Sequence, residues 1–198
     1  MHLLKAADHR RMPWKNGGGE TIEIAVHPPG AGLSGFAWRV SMASVAADGP
    51  FSVFEGIDRT LALLSGEGME LEIEGMGSRF LTAASEPLRF PADAPTTARL
   101  TGGPITDLNV MTRRGAASHG LRRIAIEAEY LLVAQARWTL ALPAGALTAE
   151  REEGPPLGLR RGDALMLVRG DPPVRLRAQA PTVLYLVTLE SGPEKPAA

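Results

Sequence analysis

Trp38-Arg39-Val40-Ser41-Met42-Ala43, Gly49-Pro50-Phe51-Ser52-Val53-Phe54 and Gly56-Ile57-Asp58-Arg59-Thr60-Leu61-Ala62-Leu63-Leu64 decide how this chain is read, with Ser65-Gly66-Glu67-Gly68 closing the stretch. Trp38, Val40 and Met42 alternate with Arg39, Ser41 and Ala43, the period of two that a half-buried strand needs. Gly49-Pro50 and Glu55-Gly56 punctuate the runs as turns, leaving three short strands. Arg39, Ser41, Ser52, Asp58 and Arg59 sit among aromatic and aliphatic neighbours. A charge inside a fold must be paired or meet a ligand, because burying it bare is costly. The stretch predicts a small β-barrel with a polar, charged mouth.

Toward the N-terminus, Thr21-Ile22-Glu23-Ile24-Ala25-Val26 predicts a strand with Ile22, Ile24 and Val26 on one face. Before it comes Pro13-Trp14-Lys15-Asn16-Gly17-Gly18-Gly19. Two roles stay open for its glycines: a linker, or a backbone that approaches a ligand closely and offers N–H groups to an anion. It is not a P-loop, because the lysine precedes the glycines and no helix follows. Toward the C-terminus, Met69-Glu70-Leu71-Glu72-Ile73-Glu74 predicts a strand with one apolar and one acidic, solvated face. Asp107, Asn109 and Met111 share one face of a further strand, with Leu108 and Val110 on the other.

Residues 115–190 predict a second set of short strands, among them Tyr130-Leu131-Leu132-Val133, Trp138-Thr139-Leu140-Ala141-Leu142 and Ala164-Leu165-Met166-Leu167-Val168. They carry few clustered polar groups, which marks this half as structural. The expected organisation is a first barrel over 1–114 with the pocket, a second over 115–190, and a disordered Pro-rich tail over 191–198. The class is all-β, and no long segment has helical period.

Twenty-one basic and 22 acidic residues nearly cancel, so nothing calls for nucleic acid or an anionic membrane. The absence of cysteine excludes disulfides, a thiolate nucleophile and a cysteine metal site. No run reaches the ~18 to 20 apolar residues of a membrane span, and Met1-His2-Leu3-Leu4-Lys5 has no apolar signal core. A cytoplasmic protein is expected.

Pro13-Trp14-Lys15-Asn16-Gly17-Gly18, Trp38 to Ala43, Gly49-Pro50-Phe51-Ser52, Gly56 to Leu61, Gly66-Glu67-Gly68 and Asp107 to Arg113 resemble the signature blocks of the HutD/Ves family, in the family's order. The second half is similar only in strand pattern. The resemblance implies jelly-roll (double-stranded β-helix) barrels in a cupin-type pair, a bicupin. It also implies an association with bacterial histidine utilisation, in which the family binds an intermediate such as N-formylglutamate and acts in regulation. It brings no established catalytic activity. Pro91-Ala92-Asp93 departs from a Gly-containing turn, which touches a loop rather than the pocket.

A metal-dependent cupin needs clustered histidines, usually two at i and i+2 on one strand. His2, His9, His27 and His119 show no such spacing, so neither a metal nor another cofactor is expected. The ligand-binding candidates are Lys15, Asn16, Trp38, Arg39, Ser41, Phe51, Ser52, Asp58, Arg59, Asn109, Met111 and Arg113. Arginine offers a planar fork that matches a carboxylate, and asparagine both donates and accepts. Trp14, Trp38, Phe51 and Phe54 can wall the pocket and keep it dry. Asp58 has a second role open, as ion-pair partner of Arg39 or Arg59 from a neighbouring strand. The expected partner is a small carboxylate metabolite; a homodimer is left open. The rival expectation is an isomerase or hydrolase of a small acid with Asp58 or Lys15 as acid/base.

Overall fold

The computed structural model describes residues 1–14 and 17–192. Its strands are β1 (His2–Leu4), β2 (Arg10–Pro13), β3 (Gly19–His27), β4 (Trp38–Val45), β5 (Gly49–Pro50), β6 (Ile57–Ser65), β7 (Met69–Ile73), β8 (Gly77–Leu81), β9 (Leu88–Pro91), β10 (Thr96–Leu100) and β11 (Ile105–Arg113). There follow β12 (Ala117–Ile126), β13 (Glu129–Leu132), β14 (Trp138–Pro143), β15 (Leu147–Glu150), β16 (Leu157–Leu159), β17 (Ala164–Val168), β18 (Val174–Ala178) and β19 (Thr182–Ser191). One 3-10 turn, Ala6–Asp8, is the sole helical element among the described residues. The protein is all-β, and no helix of the described residues is long and apolar enough to cross a membrane.

The chain forms two compact units, Arg10–Ser118 with Gly192, and Met1–His9 with His119–Ser191. The sequence placed 1–114 together. The first nine residues instead belong with the C-terminal half, because β1 pairs antiparallel with β17. Ser191, expected in the tail, ends β19; residues 193–198 lie outside the described residues.

The Arg10–Ser118 unit has a six-stranded sheet, β2-β3-β4-β11-β6-β9, and a four-stranded sheet, β5-β10-β7-β8. Leu61, Leu63, Val45 and Ile105 of the first pack with Met69, Leu71, Ile73 and Ala98 of the second. Each large aliphatic side chain buried there stabilises by about 1.5–3 kcal/mol over an exposed one. On β7 the alternation is as expected, with Met69, Leu71 and Ile73 buried and Glu70 and Glu72 exposed. On β4 it is not. Trp38 through Ala43 are all buried, so the strand is covered on both faces and its polar residues do not meet solvent.

The other unit has sheets β1-β17-β14-β19-β12 and β13-β18-β15-β16. Its hydrophobic core includes Leu132, Leu147, Leu159, Leu165, Leu176 and Leu184, and Thr139 is buried in the same unit.

Candidate functional site

The register of β4, β11 and β6 builds the site. Met111 stands between Arg39 and Arg59, Asn109 between Ser41 and Leu61, and Asp107 between Ala43 and Leu63. Side chains two apart share a face, so these three rungs point to one side of the sheet. They form the floor of a cavity of about 590 Å³. Met12, Trp14, Thr21, Leu33, Pro50, Phe51, Ser52 and Phe54 complete its wall. Trp14 is fixed by donation from Nε1 to Thr21 Oγ1 at 2.9 Å.

Gly19, where β3 begins, lets the chain close on this site. A Cβ there would stand 2.1 Å from the Ser44 carbonyl oxygen and 3.1 Å from the Trp14 ring. Of the two roles left open for the glycine run, close approach fits Gly19, but the approach is to a neighbouring strand and to Trp14.

The cavity's charges differ in how they are met. Arg39 Nε donates to Glu23 Oε2 at 2.7 Å, with side-chain exposures of only 6% and 12%. Arg59 is only 4% exposed and has no such partner: no carboxylate among the described residues lies within 4.0 Å of its guanidinium. Its Nη2 donates to the Ser52 carbonyl at a long 3.5 Å and approaches Met111 Sδ at 4.0 Å, and its Nε has no acceptor. The guanidinium carbon lies 5.2 Å from the Phe51 ring centre, 5.5 Å from Phe54 and 5.8 Å from Phe90. These faces offer the cation a partial substitute for water. Burial pushes Arg59 down to about 10, with the charge of Asp107 opposing the shift and Arg39 adding to it. It stays cationic at neutral pH.

Asp107 is 1% exposed. Asn109 Nδ2 donates to its Oδ1 at 2.5 Å. Burial pushes this carboxyl up to about 7, against the opposing pull of Arg59, the Asn109 amide and the Ala43 backbone N–H. Among the described residues, no group of three or more His, Cys, Asp or Glu could hold a metal ion.

Arg39, Ser41, Phe51, Ser52, Arg59, Asn109 and Met111 therefore come together around one cavity. Three expected residues do not line it. Asp58 neighbours Arg59 on β6, and adjacent strand residues face opposite sides. It pairs with neither Arg39 nor Arg59 but accepts from Arg89 at 2.8 Å and Arg114 at 3.0 Å. Partial burial would raise this carboxyl, but those two arginines hold it below the usual range, which does not suit an acid/base. Trp38 falls on the face of β4 opposite Arg39 and stacks on His27 with ring centres 5.7 Å apart. Arg113 shares the parity of Met111 but lies at the strand end. It donates to the carbonyls of Ser34 and Phe36 and so ties down the 28–36 loop. Lys15 and Asn16 lie outside the described residues.

Two functional groups escaped the sequence-derived ligand set. Asp107 was visible as sharing a face with Asn109. Glu23 was hidden, because a polar residue alternating with Ile22 and Ile24 gives no sign that its own face is covered too. Glu23 stands opposite Ser41 in the register that runs from Gly19, and only the shift between Glu23 and Ala25 brings Val26 opposite Arg39. A bulge inverts the parity of everything after it.

An all-β chain of two double-sheet units, one of them holding a cationic cavity, has a cupin-like fold. A cupin barrel protein from Leptotrichia buccalis shares the fold at TM-score 0.58 over 86% of this chain and 88% of its own, with 13% identity. The HutD family profile matches residues 6–186, and the chain belongs to the HutD family. An uncharacterised 21.2 kDa protein in the hutC 3' region of Pseudomonas putida is 42% identical over 111 residues, 56% of this chain and 57% of its own length. Protein Ves of Citrobacter koseri is 43% identical over 112 residues, 54% of this chain and 56% of its own. The matched part thus spans little more than half of these curated relatives. Among solved structures, a conserved Pseudomonas aeruginosa protein of unknown function superposes at TM-score 0.85 with 33% identity, covering 96% of this chain and 98% of its own. HutD of Pseudomonas fluorescens, solved in a formate condition, superposes at 0.78 with 29% identity over the same shares.

Proposed function

We propose that the cavity binds a small carboxylated metabolite of the N-formylglutamate type, and that through this binding the protein modulates histidine utilisation. The observation that carries the reading is Arg59, a buried cation in a cavity wall with no carboxylate of the described residues at ion-pair distance. A guanidinium held this way costs stability unless an anion meets it. A ligand carboxylate would supply the missing acceptor in the fork geometry arginine prefers. Asn109 and Ser41, one rung away, suit a neutral amide or formyl group. The aromatic wall keeps water from competing. The physiological setting rests on membership of the HutD family and on the hutC-region naming of the P. putida relative.

Calorimetric titration with N-formylglutamate and urocanate tests this. Wild type is expected to bind at least one. Arg59→Met, which keeps much of the volume but removes the charge, is expected to weaken binding at least tenfold. A wild-type protein that binds no pathway acid would sink the proposal. Asp107 favours a second reading, enzymatic turnover of a small acid, because a buried carboxyl titrating near neutrality can exchange protons with a ligand. Assays that stay flat across pathway intermediates would exclude it.

A further inference from the structure

Besides Arg59, Arg39 and Asp107 are the titratable side chains among the described residues of the cavity wall. The elements packed around Asp107 bring few charges to it. From β6 comes Arg59, and from β4 comes Arg39, already matched by Glu23 of β3. The core residues of the opposing four-stranded sheet are apolar: Met69, Leu71, Ile73, Leu81 and Ala98. With Asp107 ionised, the described residues set two cations against two carboxylates and bring no net charge. An entering anion then leaves uncompensated negative charge, two units for a dicarboxylate, in a space lined by aromatic and aliphatic groups, and each proton taken up offsets one of them. Such an excess is expensive where water is scarce.

We propose that Asp107 is the proton-carrying member of this site: the cavity accepts a small carboxylate together with one proton, which Asp107 takes up. The inference rests on the anion-binding reading of Arg59 and extends it to what selects the ligand's charge. Geometry gives Asp107 both capacities it needs. It is fully enclosed on the same face as Arg59, with the Asn109 rung between them, and Asn109 Nδ2 donates to Oδ1. Arg59 lowers the carboxyl's affinity for that proton, while burial already brings it to about 7. A carboxylate on Arg59 cancels that pull, so anion and proton bind with positive coupling. By linkage, affinity is flat where Asp107 is already protonated. It falls by up to about tenfold per pH unit where the free carboxyl is ionised.

The test is calorimetry with N-formylglutamate and glutarate as probes, from pH 6 to pH 9 in bis-Tris propane, and again in Tris from pH 7.5 to pH 9, neither buffer being an anion. Wild type is expected to bind more weakly as pH rises above 7, with a buffer-dependent heat that reports proton uptake. Asp107→Asn, which can still accept from Asn109, is expected to bind with little pH dependence and to exceed wild type at pH 9. Binding by wild type with neither pH dependence nor proton uptake would overturn the role of Asp107 while leaving Arg59 as the anion site. An Asp107→Asn protein that keeps the full wild-type pH slope would overturn it too. No binding by wild type at any pH would remove the Arg59 reading itself. Should Asp107→Asn fail to fold, the two-buffer experiment on wild type decides alone.

Discussion

Arg59 and Asp107 occupy one cavity and face the same difficulty with opposite charges. Both are almost wholly enclosed, both are pushed toward neutrality by burial, and each partly restores the other through its charge. For Asp107 the push has a consequence for stability. Its folded-state pKa is raised from 3.8 to about 7, so the native state holds the proton more tightly than the unfolded chain does. The resulting stabilisation is complete below about pH 4 and is lost as pH rises through 7. A tenfold change in proton affinity is worth about 1.4 kcal/mol, so the whole effect is on the order of 4 kcal/mol. Asp107→Asn removes this slope because an amide does not titrate. Denaturant melts should show the variant gaining on wild type between pH 5 and pH 8; a stability difference that stays constant over that range would contradict the buried, protonated carboxyl.

Strand β3 sets how the other arginine is met. Glu23 stands in register with Ser41, on the same face of β3 as Thr21, and pairs with Arg39; little of either side chain reaches solvent. Removing one member of a buried pair strands the other's charge, typically at a cost of about 3–5 kcal/mol. Glu23→Ala should therefore lower the denaturation midpoint markedly, and the double change Glu23→Leu with Arg39→Met should restore most of it. A single variant as stable as wild type would show that water reaches Arg39. Glu23 was illegible because alternation shows that a residue lies opposite an apolar face, not that its own face is covered as well. On β4 and β11, alternation put Arg39 with Ser41 and Asn109 with Met111; that Arg59 joins them follows from the pairing of β6 with β11, which alternation does not encode. Trp38 misled because the strand is covered on both faces, so hydrophobicity marked burial without saying which side. Arg113 misled because the last residue of a strand can turn to a loop carbonyl instead of the barrel.

At the scale of the chain, its two units have unlike interiors. Short alternating strands and turn residues made the all-β class legible. The pairing of β1 with β17 was not legible, since a three-residue strand carries no signal of so distant a partner in the chain. The core of Met1–His9 with His119–Ser191 is filled by aliphatic side chains, whereas Arg10–Ser118 keeps a cavity of about 590 Å³ with charged walls. A ligand that binds only the folded state raises its stability by about 2.7 kcal/mol at one hundred times its dissociation constant. With the ligand on Arg59, that gain enters through the Arg10–Ser118 unit. Hydrogen exchange with and without N-formylglutamate should show new protection concentrated in β4, β6 and β11, whose side chains form the cavity floor. Asp107→Asn should keep this pattern at high pH, and Arg59→Met should lose it. Protection confined to β13, β15 and β18 would place the ligand in the other unit and leave the Arg59 guanidinium without a purpose.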